Sequence, residues 1–175
     1  MLIDLAKIMS VKGKVEQIEA PLELEAFVLD GVSYPFKEEN PVRLTITHQG
    51  ERKVMVEGET TVSLNIPCNR CLDDVETFFD IHVSKNLDFN DTDEDRIREL
   101  DEANYISGYS LDVDLLIYDE LVIDFPLHVL CKEECKGLCK VCGTNLNHET
   151  CGCDDTVLDP RMSVIRDIFN NFKEV

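Results

Sequence analysis

Eight cysteines are the residues of this chain whose type and spacing could do chemistry, and they fall in four close pairs. The pairs are Cys68/Cys71, Cys131/Cys135, Cys139/Cys142 and Cys151/Cys153. A tetrahedral zinc ion takes four such donors, and two thiolates a few residues apart can occupy one edge of the tetrahedron. Each pair therefore supplies half a site, and the four pairs predict eight ligands for two metal ions.

The four pairs can be sorted into two sites in three ways. The run C-x2-C-x8-C-x-C from Cys139 to Cys153 closes one site locally. Gly143, after its second cysteine, can take the positive φ that turns backbone N–H groups toward sulfur. The other two pairs would then form a site that joins distant parts of the chain, so that it belongs to the fold. Sequence distance favours this local sorting, but a site made from the second and third pairs stays open.

Sulfur ligands alone do not choose between zinc and iron. Zinc is expected at both sites, and iron in a rubredoxin-like tetrathiolate stays open. Free thiols and redox pairs are weaker alternatives, because a thioredoxin-type interpretation of Cys68/Cys71 needs a βαβ context that the surrounding sequence lacks. His128 and His148 lie near the cysteines and could replace a ligand, but with eight thiols present a solvated or hydrogen-bonded histidine is the better interpretation.

The sequence gives no sign of a targeting segment. Residues 1–13 hold no long apolar stretch and no small-residue cleavage site, and no run approaches the roughly 18 apolar residues of a membrane span. We therefore expect a cytoplasmic protein that makes no contact with a membrane. Closely spaced cysteines in the reducing cytoplasm are more often metal ligands than disulfides.

The composition suits one globular domain with a hydrophobic core, since the 175 residues are 43% hydrophobic and 30% charged. The net charge is −19, from 36 acidic and 17 basic residues, which argues against a protein that grips phosphate. Acidic residues concentrate near 88–104, where we expect a solvated loop. The segment from Cys131 to Cys153 is neutral before its thiols ionise, so any contact with nucleic acid is expected there.

Strand patterns dominate the first half of the chain. Leu22–Leu29 and Val32–Phe36 flank Asp30-Gly31 and predict a hairpin. Further on, apolar residues alternate with polar ones, as in half-buried antiparallel strands. The alternating positions are Val42, Leu44, Ile46, Val54, Val56, Val62, Leu64, Ile66, Phe79, Ile81 and Val83. The first cysteine pair lies between two of these strands, in a turn that could present its thiolates rigidly.

Two helices are expected in the second half. Asp112 is a candidate N-cap for a helix near 112–124, which Pro126 follows. Asp159 as N-cap and Pro160 at the first helical position predict a C-terminal helix over 159–173, whose apolar residues recur at helical spacing.

These elements predict an α+β fold in a single domain, 1–175. Its body, 1–126, is expected to be mainly an antiparallel β-sheet or partly closed barrel with a few helices. A small cysteine-rich, metal-binding lobe over 127–156 follows it.

The motifs of common enzyme classes are absent from the sequence. There is no GxxxxGK[ST] loop, no GxGxxG after a strand, no GxSxG elbow and no HExxH. A catalytic zinc keeps one position for water, whereas four cysteine pairs fill both tetrahedra. We therefore expect structural metal in a protein that is not an enzyme.

The order and spacing of several motifs resemble the YceD family of bacterial and plastid proteins over nearly the whole chain. The motifs are Cys68-Asn69-Arg70-Cys71-Leu72, the segment Leu111–Pro126, Cys131-x3-Cys135-x-Gly137-Leu138-Cys139-x2-Cys142-Gly143-x-Asn145-Leu146-Asn147, Cys151-x-Cys153 and Asp159-Pro160-Arg161. The resemblance implies a role in accumulation of large-subunit ribosomal RNA and in assembly of the large ribosomal subunit. It implies no enzymatic activity.

The resemblance and the charge together predict the partners. Ribosomal proteins or large-subunit assembly intermediates are expected, and the acidic chain favours a basic ribosomal protein over bare ribosomal RNA as the first contact. Arg70, between two candidate ligands, is expected to pair with a nearby acid. The alternative function is electron transfer through an iron tetrathiolate, or redox sensing through a thiol pair.

Overall fold

A computed structural model describes residues 1–90 and 104–153, and most of them belong to antiparallel β-structure. The strands are β1 (Leu2–Asp4), β2 (Val15–Ala20), β3 (Ala26–Leu29), β4 (Val32–Glu39), β5 (Val42–Gly50), β6 (Lys53–Pro67), β7 (Asp74–Asp88), β8 (Ile106–Ser107) and β9 (Ser110–Asp112). The helices of the described residues are α1 (Ala6–Met9) and α2 (Val113–Asp124). The expected α+β class is thus correct in outline, but among the described residues the protein is mostly β-sheet.

The main sheet is built around β6. Strand β7 pairs with β6 along its full length, from Lys53↔Asp88 to Pro67↔Asp74. On its other edge, β6 pairs first with β5 and then with β4, and the sheet order is β2-β5-β6-β4-β3. This six-stranded sheet curls into a half-barrel. Gly58 on β6 is paired with Leu44 on β5 and leaves room for its side chain, since a Cβ at Gly58 would be 2.6 Å from Leu44 Cδ2.

The predicted alternation along β5, β6 and β7 marks the face that packs in the core. All eleven alternating apolar positions are buried. Helix α2 closes this core with Val113, Leu116 and Ile117, and it begins at the predicted cap, where the Asp112 side chain accepts hydrogen bonds from two amides of the first turn. The buried face of α2 and the long strands thereby form one hydrophobic core.

The first hairpin forms at the predicted turn, although its first strand is shorter than expected. Asp30 and Gly31 both have positive φ, +50° and +80°, as a two-residue type I′ turn requires. Strand β3 begins only at Ala26, and residues 21–25 run outside the sheet.

A second, small sheet was not expected from the sequence. Its order is β1-β9-β8, and it joins the start of the chain to the segment just before α2. Of the predicted acidic loop, residues 91–103 lie outside the described residues, and so does the predicted C-terminal helix over 159–173. Among the described residues, no helix is long and apolar enough to cross a membrane.

Candidate metal centres

The first cysteine tetrad lies at the end of the longest hairpin. Strand β6 ends at Pro67 and β7 begins at Asp74, so the first cysteine pair lies in the connecting turn. This turn is closed by a hydrogen bond from the Cys68 amide to the Asp73 carbonyl at 2.8 Å. After α2 the chain returns to this turn, where the Asn69 amide donates to the Val129 carbonyl at 2.9 Å. That contact brings the second pair, Cys131 and Cys135, against the first.

The four sulfur atoms of this first tetrad are spaced as a metal ion requires. The ligand atoms of Cys68, Cys71, Cys131 and Cys135 all lie within 4.8 Å of one another. The Cys68 and Cys135 Sγ atoms are 3.9 Å apart, and those of Cys71 and Cys131 are 3.5 Å apart. A tetrahedral ion with metal–sulfur bonds of about 2.3 Å holds its sulfurs about 3.8 Å apart, whereas a disulfide needs about 2.05 Å. The geometry therefore fits a shared ion and not disulfides.

The second cysteine tetrad is the local one. Cys139, Cys142, Cys151 and Cys153 also have ligand atoms within 4.8 Å of one another. All eight cysteines are free thiols, and the two groups match the local sorting of the pairs. Both tetrads could hold a metal ion, and four sulfur donors complete a tetrahedral shell in each.

The two C-x2-C turns share one backbone shape. In the first turn the Leu72 amide donates to the Cys68 carbonyl at 3.0 Å, and in the second the Gly143 amide donates to the Cys139 carbonyl at 2.9 Å. The residue after the second cysteine has positive φ in both, +62° at Leu72 and +75° at Gly143. Positive φ is unfavourable for leucine, so the first turn carries backbone strain that the surrounding contacts must hold.

Backbone amides point at sulfur in both tetrads. The amides of Arg70 and Cys131 donate to Cys68 Sγ over 3.5 and 3.4 Å, and the Val141 amide donates to Cys139 Sγ over 3.4 Å. Burial of Cys68 opposes ionisation, but these amide donors outweigh it and lower the pKa of its thiol to about 6. A thiol with so low a pKa is a thiolate at neutral pH, which is the form that binds metal.

In the second tetrad, too, the pKa values of the thiols are shifted, and in opposite directions. The Thr144 hydroxyl and amide lower the pKa of the Cys142 thiol to about 6. Its neighbour Cys153 has a pKa raised to about 12, first because of its hydrogen bond with Cys142. In the first tetrad, burial raises the pKa of Cys71. Metal binds the thiolate form of cysteine, so a cation bound at either tetrad would displace the protons of thiols whose pKa is raised.

Among the described residues Arg70 pairs with backbone carbonyls and with no acid, contrary to the expectation from the sequence. Its guanidinium donates to the Cys135 carbonyl at 3.1 Å and to the Glu133 carbonyl at 3.4 Å. The planar, multi-donor guanidinium can serve two backbone oxygens of one turn at once. Arg70 therefore ties the two halves of the first tetrad together.

Three polar residues near the tetrads were missed as functional positions by the sequence analysis. Asp73 accepts hydrogen bonds from Cys71 Sγ at 3.2 Å, Asn145 Nδ2 at 2.9 Å and His148 Nε2 at 3.1 Å, and the first two of these bonds contribute most to holding the pKa of its carboxyl below the usual range. Asn147 Nδ2 donates to Cys135 Sγ at 3.3 Å. All three lie close in sequence to the ligands, and Asn145 and Asn147 also belong to a motif of the family resemblance, so both signals could have found them.

The two histidines near the cysteines are not members of either tetrad. His148 makes its ring contact with Asp73 Oδ2, and His128 is exposed. The interpretation of His148 as a hydrogen-bonded side chain thus agrees with the structure.

The chain is similar to several uncharacterized mycobacterial proteins. The chain is 28% identical over 108 residues to an uncharacterized protein of Mycobacterium bovis and to one of Mycobacterium tuberculosis, which is 62% of this chain and 52% of each relative. It is 27% identical over 93 residues to an uncharacterized protein of Mycobacterium leprae, covering 53% of this chain and 43% of that one. The chain thus spans about half the length of the curated relatives it matches. No solved structure matches it.

A family model decides the affiliation. It matches residues 56–169, a stretch that begins in β6 and encloses both cysteine tetrads, and it describes the large ribosomal RNA subunit accumulation protein YceD. The matched stretch is well over half of the chain. The protein therefore belongs to the YceD family.

Proposed function

We propose that this protein is a non-enzymatic factor that supports accumulation of large-subunit ribosomal RNA and assembly of the large ribosomal subunit in the cytoplasm. The observation that carries the proposal is the family match over residues 56–169, which includes every cysteine of the two tetrads. The closed sulfur shells support a structural role for the metal, because they leave no ligand position for water or substrate.

Zinc is the metal we propose for both tetrads. A d10 ion has no redox chemistry and accepts the tetrahedral arrangement of four thiolates, which suits a site that shapes a contact surface. Iron would give an electron-transfer site with the same ligands. Elemental analysis and the visible spectrum of the purified protein separate the two: a colourless protein with two zinc ions supports the proposal, and a red one with iron favours redox chemistry.

The partner that we propose is a basic ribosomal protein on an assembly intermediate. The net charge of −19 attracts a basic surface. In addition, six basic side chains of the described residues already pair with carboxylates, which leaves fewer of them for phosphate. These pairs are Lys7–Asp4, Lys14–Glu16, Lys37–Glu76, Arg43–Glu59, Lys53–Asp88 and Lys85–Glu120.

Gradient sedimentation of the tagged protein from native lysate tests the proposal. We expect comigration with immature large-subunit particles, together with a lowered ratio of large-subunit to small-subunit ribosomal RNA in cells that lack the protein. Complementation by the wild-type chain should restore the ratio. A free peak without ribosomal components, and an unchanged RNA ratio in its absence, would contradict the proposal.

Binding to purified components tests the choice of partner. Tight binding to a basic large-subunit protein, with weak and salt-insensitive binding to naked ribosomal RNA, is expected. Strong RNA binding that falls steeply with salt would instead mean that phosphate contacts dominate.

A further inference from the structure

The two cysteine tetrads are joined by a continuous hydrogen-bonded interface. Only residues 136–138 separate the last ligand of the first tetrad from the first ligand of the second. These residues lie against the first turn: the Leu138 amide donates to the Arg70 carbonyl at 3.1 Å. A Cβ at Gly137 would be 3.0 Å from that carbonyl oxygen, so any side chain at this position would crowd the contact.

The loop between Cys142 and Cys151 of the second tetrad reaches the ligands of the first. Asn147 donates from Nδ2 to Cys135 Sγ at 3.3 Å and accepts at Oδ1 from the Lys136 amide at 3.0 Å. Asn145 donates to Asp73 Oδ1 at 2.9 Å, and Asp73 in turn contacts Cys71. Side chains carried by the second centre therefore orient ligands of the first.

The position of these asparagines depends on the second tetrad. The Cys139 amide donates to the Thr144 carbonyl at 2.8 Å, and Leu138 and Asn145 form an antiparallel bridge. The Leu146 amide donates to the Gly137 carbonyl at 2.9 Å. The loop is thus held by the backbone that also presents the second ligand set, so ordering that set orders Asn145 and Asn147 as well.

We infer that the two centres form one cooperative unit, in which metal at either tetrad raises the metal affinity of the other through Asp73, Asn145 and Asn147. The physical reason is that the ordering entropy of the shared interface is lost once, when the first ion binds, so the second ion binds a segment that is already ordered. The inference rests on the metal binding proposed above. We expect a coupling of about tenfold in affinity, within the usual range of site-to-site coupling.

The sharpest test removes two ligands that do not touch the first tetrad. In the described structure, the sulfur contacts of Cys151 and Cys153 are with their own tetrad. In the full chain carrying Cys151→Ser and Cys153→Ser, we expect Zn²⁺ to bind the first tetrad about tenfold more weakly than in the wild type. Competition with a chromophoric chelator measures the affinity, and native mass spectrometry counts the ions bound. An unchanged first-tetrad affinity would overturn the inference.

Asn147→Ala tests the proposed route of coupling without removing a ligand. This variant should still bind two Zn²⁺ ions at excess metal, but its one-metal species should be more populated at half loading than in the wild type. With Zn²⁺ bound only at the second tetrad, the amides of residues 69–73 should also exchange faster in Asn147→Ala than in the wild type. Lys140→Ala, which alters an exposed side chain between two ligands of the second tetrad, is the control and should load like the wild type.

The outcomes separate this inference from the proposed function. If each tetrad binds Zn²⁺ with the same affinity whether or not the other tetrad is intact, the coupling is overturned, but the proposed metal centres stand. A wild-type chain that binds no Zn²⁺ overturns both. Coupling of binding is reciprocal, so Cys68→Ser with Cys71→Ser should in turn weaken Zn²⁺ binding at the second tetrad, and an unchanged affinity there would also contradict the inference.

Discussion

Arg70 shows how one residue can serve a metal centre without being a ligand. It lies between Cys68 and Cys71, where its amide donates to Cys68 Sγ, and its side chain binds the carbonyl of Cys135. Its carbonyl also accepts from the Leu138 amide. The residue therefore joins both cysteine pairs of the first tetrad to the connection that leads to the second.

Arg70→Ala removes the side-chain bonds and keeps the backbone ones. We expect it to lower the free energy of unfolding of the zinc-loaded protein by about 1 kcal/mol, the net value of a modest hydrogen bond at a partly exposed site. Urea unfolding at constant free zinc measures the loss. Arg43→Ala is the matched control, because Arg43 pairs with exposed Glu59 and such surface pairs contribute little. Equal losses in the two variants would contradict the role assigned to Arg70.

The ligands could be predicted from the sequence, but the residues that support them could not. Closely spaced cysteine pairs are typical ligands of zinc and similar metal ions, and each pair can be recognised in the sequence without knowledge of the fold. Asp73 and Asn145 act across a large sequence separation, since they lie 72 residues apart. Nothing in local spacing reveals such a contact, and the partners of Arg70 were mispredicted for the same reason.

Among the strands and helices, the long ones could be predicted from the pattern of their own residues. Strands β5 and β7 alternate apolar and polar residues over many positions, and α2 has a capping residue at its start, so all three could be predicted. In β6 the apolar alternation is interrupted, because Glu57–Thr61 places polar residues and Gly58 between Val56 and Val62. Strands β1, β8 and β9 are two or three residues long, too short for any period to appear.

The N-cap of α2 can be tested directly. The Asp112 carboxylate accepts from the Asp114 amide at 3.0 Å and from the Leu115 amide at 3.3 Å. Asp112→Ala should lower the free energy of unfolding by about 1 kcal/mol, because it leaves these first-turn amides without a side-chain partner. Asp112→Asn retains a capping oxygen and should cost much less. Urea titrations of the three proteins make the comparison, and equal losses for both substitutions would contradict a capping role.

An ion pair across the sheet predicts an acid-sensitive part of the stability. The Lys37 ammonium on β4 binds the Glu76 carboxylate on β7 and, with Ser63 between them, lowers the pKa of Glu76 from its ordinary value of 4.5. A lowered folded-state pKa stabilises the fold above pH 4.5, and this stabilisation is lost as the pH falls through the folded-state pKa.

Unfolding free energies measured from neutral to acid pH should therefore decline less steeply in Lys37→Met than in the wild type. The two curves should approach each other in acid, where Glu76 is protonated in both proteins. Lys7→Met, which alters an exposed lysine 3.9 Å from its nearest paired carboxylate, should follow the wild type. Parallel curves for Lys37→Met and the wild type would contradict the linkage.

Across the whole molecule, two different forces hold two parts of the chain. The half-barrel has a large core of buried aliphatic and aromatic side chains. Between residues 131 and 153, the only buried residues are Cys135 and Gly137. So little apolar burial cannot offset the entropy of ordering this segment, and we expect bound metal to stabilise it.

Removal of metal should therefore unfold one part and spare the other. After treatment with a strong chelator under reducing conditions, we expect the amides of Cys131–Cys153 to lose protection against hydrogen exchange, while the strands from Val42 to Leu87 keep theirs. Exchange followed by mass spectrometry measures both regions in one sample, so the strands are the internal control. Unchanged protection in the cysteine segment would contradict the prediction.

The contact between Cys71 and Cys131 closes a loop whose ends are 60 residues apart in sequence. An ion at this tetrad closes that loop in the folded chain, and the entropy cost of closing a loop grows only with the logarithm of its length. Doubling that length changes the closure free energy by only about 0.6 kcal/mol. The free energy of closing the loop at the first metal centre therefore depends only weakly on the number of residues between its two ends.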